Sequence, residues 1–465
     1  MKRLPLAIWA MVIGAFAMGA DEFIVAGVVQ EIAADLKVTL GAVGLFESAY
    51  AIGVAIGAPL FTAIGSRVSR QRMLLATATV FVVGNLVSAL GPGYNVIMAG
   101  RIISAMAHGA FLGIAAVFAA DLVAPQAKGR AIATVFAGLT ASTVLGAPIG
   151  AAVGRALGWR ATFWSLVVMG AVTLIGLIVL LPRRRQEAHA THEEAQHTTH
   201  STHHSAEHAN ISPAPHPDTH AAHQGEHHAI SDADLAGLDA HALAHMGGGG
   251  QAAPLRQQLQ ALGRPSVWLS LLITLLGYGG VFTSYVYLAP QLTEIAGFDS
   301  VWITPLFLLF GVGLFIGNAL GGRVADKYGM AAVVGTVGAL ALVLFLMTFA
   351  IQSQAATIVG LVVYGMAAFA VVAPLQLRVM SEAGDAPDIA SAANISAFTL
   401  GSALGIWLGG TAIDSNLGLT SVNWVGALIS LSGLLLALIT WRWFDRRHRS
   451  HQVDHHTPQS AVHQH

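Results

Sequence analysis

Long apolar runs alternate with short polar segments along most of this chain. A helix needs about 20 mostly apolar residues to cross a bilayer, and twelve stretches reach that length, six on each side of a long polar segment. The pattern therefore predicts an all-α membrane protein with twelve transmembrane helices. The predicted spans lie near residues 6–29, 43–64, 74–92, 96–119, 131–154, 161–181, 267–290, 302–322, 331–350, 355–377, 391–412 and 423–441.

The composition also points to a membrane protein. Hydrophobic residues make up 55% of the 465 positions and charged residues only 10%, against about 25% charged in soluble domains. The first span follows Lys2 and Arg3 and resembles a signal peptide, but its hydrophobicity continues past Asp21, so we expect it to be retained. The hydropathy excludes a soluble enzyme. The sequence shows no nucleotide-binding or catalytic-triad pattern, so we expect neither enzyme activity nor a nucleic-acid partner.

Lysine and arginine are distributed unevenly between the two sides of the predicted bundle. With a cytoplasmic N-terminus, 19 of the 23 basic residues fall on the cytoplasmic side. Cytoplasmic loops of membrane proteins carry an excess of these residues. We therefore expect a multi-pass membrane protein with both termini and the long central loop in the cytoplasm.

The two sets of six spans repeat each other. At an offset of 260 residues, Gly53 corresponds to Gly313 and Gly57 to Gly317. In each half the two glycines are four residues apart, a spacing at which small residues allow helices to pack closely. Two six-helix halves with a site between them form a transporter architecture. The predicted domains are bundles at residues 1–182 and 265–445, a cytoplasmic loop at 183–264 and a tail at 446–465.

The loop and the tail are rich in histidine, with 14 and 6 of the 21 histidines respectively. The loop composition predicts a disordered segment, because it offers too little apolar surface to form a core. Pairs of histidines in a flexible segment can bind zinc, nickel or cobalt weakly, so the loop could capture metal ions. The two alternatives are an inert tether and a polyelectrolyte that senses pH. The metal-ligand candidates are His203, His204, His227 and His228. We expect no other cofactor.

Four charged side chains lie inside predicted spans, namely Asp21, Glu22, Glu47 and Arg101. At a rise of 1.5 Å per residue, all four fall about 6–14 Å from one membrane surface. Burial favours the neutral form of a carboxyl group, whereas a nearby arginine favours the ionised form. A change in hydration during transport would then alter proton binding, so these residues are the candidates for proton coupling.

The adjacent carboxyl groups of Asp21 and Glu22 point about 100° apart on a helix, so they cannot both face one small site. We favour Glu22 as the proton carrier, and the alternative for each carboxylate is a static ion pair with Arg101. His108, seven residues after Arg101 on the same helix face, titrates near neutral pH in an ordinary environment. It is either a hydrogen-bonded packing residue or a contact for substrate or proton.

Substrate contacts are expected from polar and aromatic side chains that face a central cavity. An isolated aromatic residue in a helix more often serves packing, so each of these residues has that alternative. The candidates are Phe16, Tyr50, His108, Tyr278, Tyr285, Asn318, Tyr364 and Asn394.

Five motifs occur in the order and helices that a known family would require. They are "DEFIVAGVVQEIAADLKV" from Asp21, "RIISAMAHGAFLGIAAVFAADLVAP" from Arg101, "LGAPIG" from Leu145, "GWRATFW" from Gly158, and the loop pattern of Gly322, Asp326, Lys327 and Gly329. The chain resembles the major facilitator superfamily, and within it the drug:proton antiporter branch of the arabinose-efflux-permease type. The resemblance covers both halves and leaves out only the central loop and the tail.

The resemblance implies gating roles for the loop that follows the second helix of each half and for the fifth-helix motif. The first copy of the loop departs from the family pattern, because Thr62, Ser66 and Ser69 replace both glycines and the acid while its arginines remain. The implied gating residues are Arg67, Arg70, Gly322, Asp326, Lys327, Gly146, Pro148 and Gly150.

The resulting hypothesis is a proton-coupled antiporter that exports small organic molecules, such as drugs or sugars, by alternating access. Its expected partners are the lipid bilayer, a small-molecule substrate and protons, and it is expected to act as a monomer. Two alternatives remain: an exporter of divalent nickel, cobalt or zinc supplied by the histidine-rich loop, and a non-transporting membrane receptor or scaffold.

Overall fold

The computed structural model describes residues 4–65, 68–181, 263–384 and 387–454. Twelve helices in these ranges are long and apolar enough to cross a membrane, and no strand occurs there. This confirms the predicted all-α fold with twelve spans. The helices are α1 (Leu6–Phe23), α2 (Leu40–Gly65), α3 (Arg70–Leu90), α4 (Tyr94–Asp121), α5 (Lys128–Leu157), α6 (Arg160–Leu180), α7 (Pro265–Tyr285), α8 (Ile303–Tyr328), α9 (Met330–Ala350), α10 (Gln354–Ala370, continuing as Val372–Ala383), α11 (Pro387–Ala412) and α12 (Ser421–Asp454).

Two helix ends differ from the predicted spans. The first span narrows to a 3₁₀ turn at Ile24–Gly27 and then leaves helical geometry at Val28 (φ −138°), because β-branched residues and a glycine weaken the helix there. The chain continues as a short helix at Val29–Leu36. α12 extends to Asp454, since hydrophobicity marks only its membrane part and no proline or glycine ends it.

The central segment and the end of the tail lie outside the described residues. This segment contains the metal-ligand candidates His203, His204, His227 and His228. The three interpretations of the loop, as a metal-capturing segment, a tether or a pH sensor, therefore stay predictions. Arg67 also falls outside the described residues.

The repeated glycines hold equivalent helix pairs together in the two halves. In the first half, an added Cβ at Gly57 would overlap the backbone of Met106, so α2 lies directly against α4. In the second half, Gly317 lies in the same way against Met366, so α8 lies against α10. Close backbone approach is the use of small residues that the repeat predicts.

A second pair of glycine seams joins α5 to α1 and α11 to α7. Gly150 lies against the carbonyl oxygen of Ile24 on the first seam, and Gly405 lies against the carbonyl oxygen of Gly279 on the second. The two halves therefore use one packing scheme, as expected for a duplicated six-helix unit.

The halves contact each other through α2 with α11 and α5 with α8. We call the face where α1 begins and α12 ends the terminal face, and the face formed by the connections 28–39 and 286–302 the distal face. Among the described residues, the hydrogen bonds that join the halves all lie between the distal face and the middle of the bundle. They are Gln30 to Thr293 (3.0 Å) and Glu294 (2.8 Å), Thr39 to Asp414 (3.0 Å), Arg155 to the Ser300 carbonyl (2.9 Å), and Ser48 to the Ala403 carbonyl (3.0 Å). The bundle is thus closed at its distal face.

Candidate functional site

A buried ion cluster joins three helices of the first half. The guanidinium group of Arg101 on α4 forms an ion pair with Asp21 on α1 and another with Glu47 on α2, the latter at 2.5 Å. All three side chains are at least 97% buried. Asn85 on α3 donates a hydrogen bond from Nδ2 to the second oxygen of Asp21 at 3.0 Å. One cation therefore serves two carboxylates, which leaves the ionised cluster with a net negative charge.

Tyr50 and His108 extend this cluster toward the middle of the membrane. The ring of Tyr50 lies under the Arg101 guanidinium group, 4.3 Å from its central carbon, in the range of a cation–π contact. The Tyr50 hydroxyl group lies 3.0 Å from Nδ1 of His108 and 3.1 Å from the carbonyl oxygen of Met18. The structure therefore links one predicted substrate contact, Tyr50, directly to Arg101 and a second, His108, to this cluster through Tyr50.

Glu22 occupies a different position from its neighbour Asp21. Its side chain is only partly buried and has no hydrogen bond or ion pair among the described residues. It is close enough to interact electrostatically with Arg101 on its own side, and with Tyr278 and Tyr285 on α7 of the other half. Of the two adjacent carboxylates, Asp21 is the one enclosed in the cluster, and Glu22 lies toward the boundary between the halves.

The fifth-helix motif fixes the end of α1 that carries these carboxylates. An added Cβ at Gly146 would lie 2.9 Å from Cβ of Phe23, and Gly150 leaves room for the backbone of Ile24. Pro148 stands inside α5 between these glycines, where it removes one helical hydrogen bond and favours a bend. The predicted gating residues of this motif thus pack against the segment that directly follows Glu22.

An aromatic cluster in the second half faces the acidic end of α1. Phe23 reaches across the boundary, with its ring centroid 6.0 Å from Phe282 and 5.9 Å from Tyr285. Tyr364 donates a hydrogen bond to the carbonyl oxygen of Val281 at 2.5 Å. The cluster contains three of the predicted substrate contacts and comprises Phe23, Tyr278, Phe282, Tyr285, Phe307, Phe310, Tyr364 and Phe398.

The other predicted substrate contacts lie apart from this assembly. Phe16 lines a groove of about 640 Å³ between α1, α5 and α6. Asn394 donates a hydrogen bond to Gln376 at 2.7 Å, close to the terminal face. Asn318 is half-buried on α8 and has no hydrogen bond within the described part of the chain.

Sequence reasoning missed Asn85 and a buried polar triad in the second half. In the triad, Ser284 donates to Asn423 at 2.5 Å, and Asn423 donates to Gln291 at 2.7 Å. These side chains are fully buried, and their hydrogen bonds satisfy one another, which makes burial tolerable. An amide in an apolar run is the signal that would have singled out Asn85.

The remaining gating candidates lie at the terminal face. Arg70 at the start of α3 forms an ion pair of 2.7 Å with Asp121 at the end of α4. Gly322 has open space where a Cβ would be, and Asp326 and Lys327 are exposed. No ion pair of Asp326 occurs among the described residues.

No group of three or more potential metal-binding side chains occurs in the described part of the chain. Nearly all of the histidine-rich loop and the end of the tail lie outside it. At this site, Asp21 and Glu47 are paired with Arg101.

Comparisons with known proteins agree with this architecture. The chain is 33% identical over 440 residues to the inner membrane transport protein YdhP of Escherichia coli strain K12, covering 95% of this chain and 97% of that protein. It is 31% identical over 435 residues to a chloramphenicol resistance protein of Streptomyces lividans, covering 93% and 96%. It is 26% identical over 446 residues to the putative transporter AraJ of Escherichia coli strain K12, covering 95% and 96%.

Solved structures show the same fold. A D-xylose–proton symporter matches with a TM-score of 0.63 at 16% identity, covering 94% of this chain and 97% of that one. The partially occluded inward-open form of the Escherichia coli xylose transporter XylE matches with a TM-score of 0.61 at 16% identity, covering 94% and 98%. The family model of the Major Facilitator Superfamily matches residues 11–405. Because that match spans most of the chain and the relatives match nearly end to end, the chain belongs to the Major Facilitator Superfamily and is a transporter, not an enzyme.

Proposed function

We propose that this transporter is a proton-coupled antiporter that exports small organic molecules across the bacterial inner membrane by alternating access. The observation that carries the proposal is an unpartnered carboxyl group, Glu22, between a buried ion cluster and an aromatic cluster of the other half. We propose that it acts as a monomer, has cytoplasmic termini and needs no resident cofactor.

The charged residues supply the physical basis for proton coupling. Arg101 stays protonated at every physiological pH, so it is a fixed positive charge paired with Asp21 and Glu47. Glu22 has no such partner among the described residues, so its proton occupancy depends on the hydration of the space around it. Opening this space to water on one side and then on the other would load and release a proton.

The aromatic cluster supports an organic substrate. Aromatic and apolar side chains with a few polar groups are the usual lining of small-molecule sites, and the cluster offers both rings and tyrosine hydroxyl groups. One relative is named as a chloramphenicol resistance protein. A neutral, partly aromatic molecule such as chloramphenicol is therefore a reasonable first substrate to test, alongside sugars.

The proposed export requires a state that takes up substrate from the cytoplasm. If the termini are cytoplasmic, as the basic residues predict, the closed distal face lies on the outside. The structure then represents a state that would accept substrate from the cytoplasm. Proton entry from the outside would require the opposite, outward-open state, as alternating access demands.

The test measures loss of a pH gradient in inverted membrane vesicles on addition of a compound. Organic compounds and divalent metals are compared in parallel. We expect an organic compound to dissipate the gradient with the wild-type protein and to have no effect with Glu22→Gln, because the amide cannot bind or release a proton at this pH. Glu31→Gln, the same exchange on the short helix outside the spans, is the matched control and should transport normally.

Full proton-coupled transport in Glu22→Gln would remove Glu22 from the mechanism. Dissipation by nickel, cobalt or zinc alone, weakened by deletion of residues 189–245, would make the metal-exporter alternative correct. If no compound acts and neutralising these charges changes nothing, the receptor or scaffold alternative gains support.

A further inference from the structure

The Tyr50 hydroxyl group makes two polar contacts but carries a single hydrogen atom. Its neighbours are the carbonyl oxygen of Met18 at 3.1 Å and Nδ1 of His108 at 3.0 Å. The carbonyl oxygen can only accept a hydrogen bond, so the arrangement that satisfies all three groups has Tyr50 donating to Met18. His108 must then donate its Nδ1 hydrogen to the Tyr50 oxygen.

This assignment fixes the tautomer of His108. A neutral imidazole ring with hydrogen on Nδ1 has a bare Nε2, which accepts hydrogen bonds. No residue in the described ranges bonds to Nε2 of His108, and Nε2 is not among the unpartnered polar atoms that are sealed from solvent. The side chain is 4% exposed, so this edge of the ring is the part left open to a ligand.

The charges around His108 restrict what that ligand is. Arg101, the buried cation of this cluster, is already shared by Asp21 and Glu47, and Glu22 adds a further carboxyl group nearby. In its neutral tautomer, the buried ring of His108 adds no positive charge to this cluster. A ligand carboxylate would find no free cation in this cluster, and its oxygens would face the bare Nε2 lone pair.

We infer that Nε2 of His108 is the acceptor for a substrate hydroxyl, amide N–H or ammonium group, and that Tyr50 is a positioning residue that holds His108 in this tautomer. The site would therefore select substrates with a hydrogen-bond donor and discriminate against carboxylates. This inference rests on the proposed function, which it deepens by naming the chemical class of the substrate.

The first test measures the tautomer without any substrate. Solid-state ¹⁵N NMR is recorded on the full-length protein in lipid, labelled only at histidine, and the His108 signals are identified by their loss in His108→Gln. We expect a protonated Nδ1 and a bare Nε2 at neutral pH. In Tyr50→Phe, which keeps a ring under Arg101 but lacks the hydroxyl group, we expect signals of the other tautomer.

Hydrogen on Nε2 in the wild-type protein, or an unchanged tautomer in Tyr50→Phe, would overturn the inference. Either result leaves the proposed proton-coupled export intact, because it does not involve Glu22. Conversely, if the NMR spectra show the expected tautomer while the protein transports no organic compound, that outcome would contradict the proposed function but not the assigned tautomer.

The second test measures binding of chloramphenicol, which carries two hydroxyl groups and an amide N–H. We expect about tenfold weaker binding in His108→Phe, the effect of losing one hydrogen-bond acceptor from a buried site. His108→Gln, whose side-chain oxygen can lie near the position of Nε2, should restore most of the affinity. Equal affinity in the wild type and His108→Phe, or no binding to the wild type, would overturn the substrate class.

Discussion

Arg101 is the residue on which the charged site depends. Its guanidinium group joins α4 to α1 and α2, and it is fully buried. A buried carboxylate is costly in a membrane unless a cation or hydrogen bonds compensate it. Arg101 compensates Asp21 and Glu47 in this way, whereas Glu22 has no ion pair among the described residues.

Replacing Arg101 with methionine should destabilise the protein strongly at neutral pH. Breaking a buried ion pair by removing one partner typically costs about 3–5 kcal/mol, because the remaining charge is uncompensated. We expect the triple variant Arg101→Met with Asp21→Asn and Glu47→Gln to regain much of this stability, since no buried charge is left. Thermal unfolding of the purified protein measures both, and a stable single variant would show that the cluster is not ionised.

Asp35 gives a pH-dependent contribution outside the membrane. Hydrogen bonds from Arg160 (2.6 Å) and Trp159 (3.1 Å) hold the pKa of the Asp35 carboxyl group below its usual value. A lowered pKa in the folded state adds stability above the unfolded pKa of about 4, and this stability is lost as the pH falls through the folded pKa.

We therefore expect Asp35→Asn to lower the melting temperature slightly at pH 7, by about 1 °C because the group is exposed. At pH 3 the wild type and the variant should differ less than at pH 7, since part of the wild-type carboxyl groups are then protonated. Melting curves across this pH range measure the difference. A gap that stays constant or widens on acidification would contradict the assigned ion pair.

At the scale of elements, glycine seams decide how closely the helices pack. Gly405 of α11 lies on the backbone of Gly279 in α7, and Gly150 of α5 lies on Ile24 after α1. Helices in a bilayer gain little from hydrophobic association, so close packing supplies much of their attraction. The seams of α1 and α7 matter most, because these helices carry Glu22 and the aromatic cluster.

Gly405→Ala should loosen the contact between α7 and α11. The added Cβ would overlap the Gly279 carbonyl oxygen and lie 2.6 Å from Oγ1 of Thr283, and such overpacking typically costs about 1–3 kcal/mol. Gly335→Ala on α9 is the control, because nothing lies within 4 Å of its Cβ position. There, alanine should be neutral or stabilise the helix by up to about 1 kcal/mol. Equal melting temperatures of the two variants would refute this role of the seam.

For the whole molecule, closure of the distal face is the main conformational feature. Tyr287 follows the end of α7 and seats its hydroxyl group between Gly44 of α2 and Gly410 of α11. The hydroxyl group also donates a hydrogen bond to the Ile406 carbonyl oxygen at 3.2 Å. Since only glycine leaves room for this side chain at position 44, the contact is a specific part of the closed state.

Gly44→Val should shift the population toward a state that is open at the distal face. The chain contains no cysteine, so spin labels react only with introduced cysteines. Ala34→Cys and Leu417→Cys place these at two exposed distal positions in different halves. We expect the population of the state with the longer inter-label distance to rise about tenfold. This corresponds to a shift of about 1.4 kcal/mol in the free-energy difference between the two states.

Gly113→Val on α4, where a Cβ would meet open space, is the matched control and should leave the distance distribution unchanged. An unchanged distribution in Gly44→Val would show that Tyr287 does not lock the distal face. The same shift in both variants would indicate general destabilisation of the bundle instead.

The sequence alone determined the number of spans, the duplication and the family. The bilayer is the reason, because each spanning segment must satisfy its own backbone hydrogen bonds and be about 20 apolar residues long. These requirements act on consecutive residues, so hydropathy and glycine spacing reveal them. The charged residues Asp21, Glu22, Glu47 and Arg101 also stood out, since charge within a span is rare.

Only the tertiary structure decided how these residues are used. Arg101 is 80 positions from Asp21 and 54 from Glu47, and a carboxylate in one helix can be paired from any neighbouring helix. The sequence could not show that Asp21 enters the cluster while Glu22 stays free, or that Asn85 and Tyr50 complete it. Which side chains meet depends on helix rotation and contact between distant segments, and local hydrophobicity does not encode either.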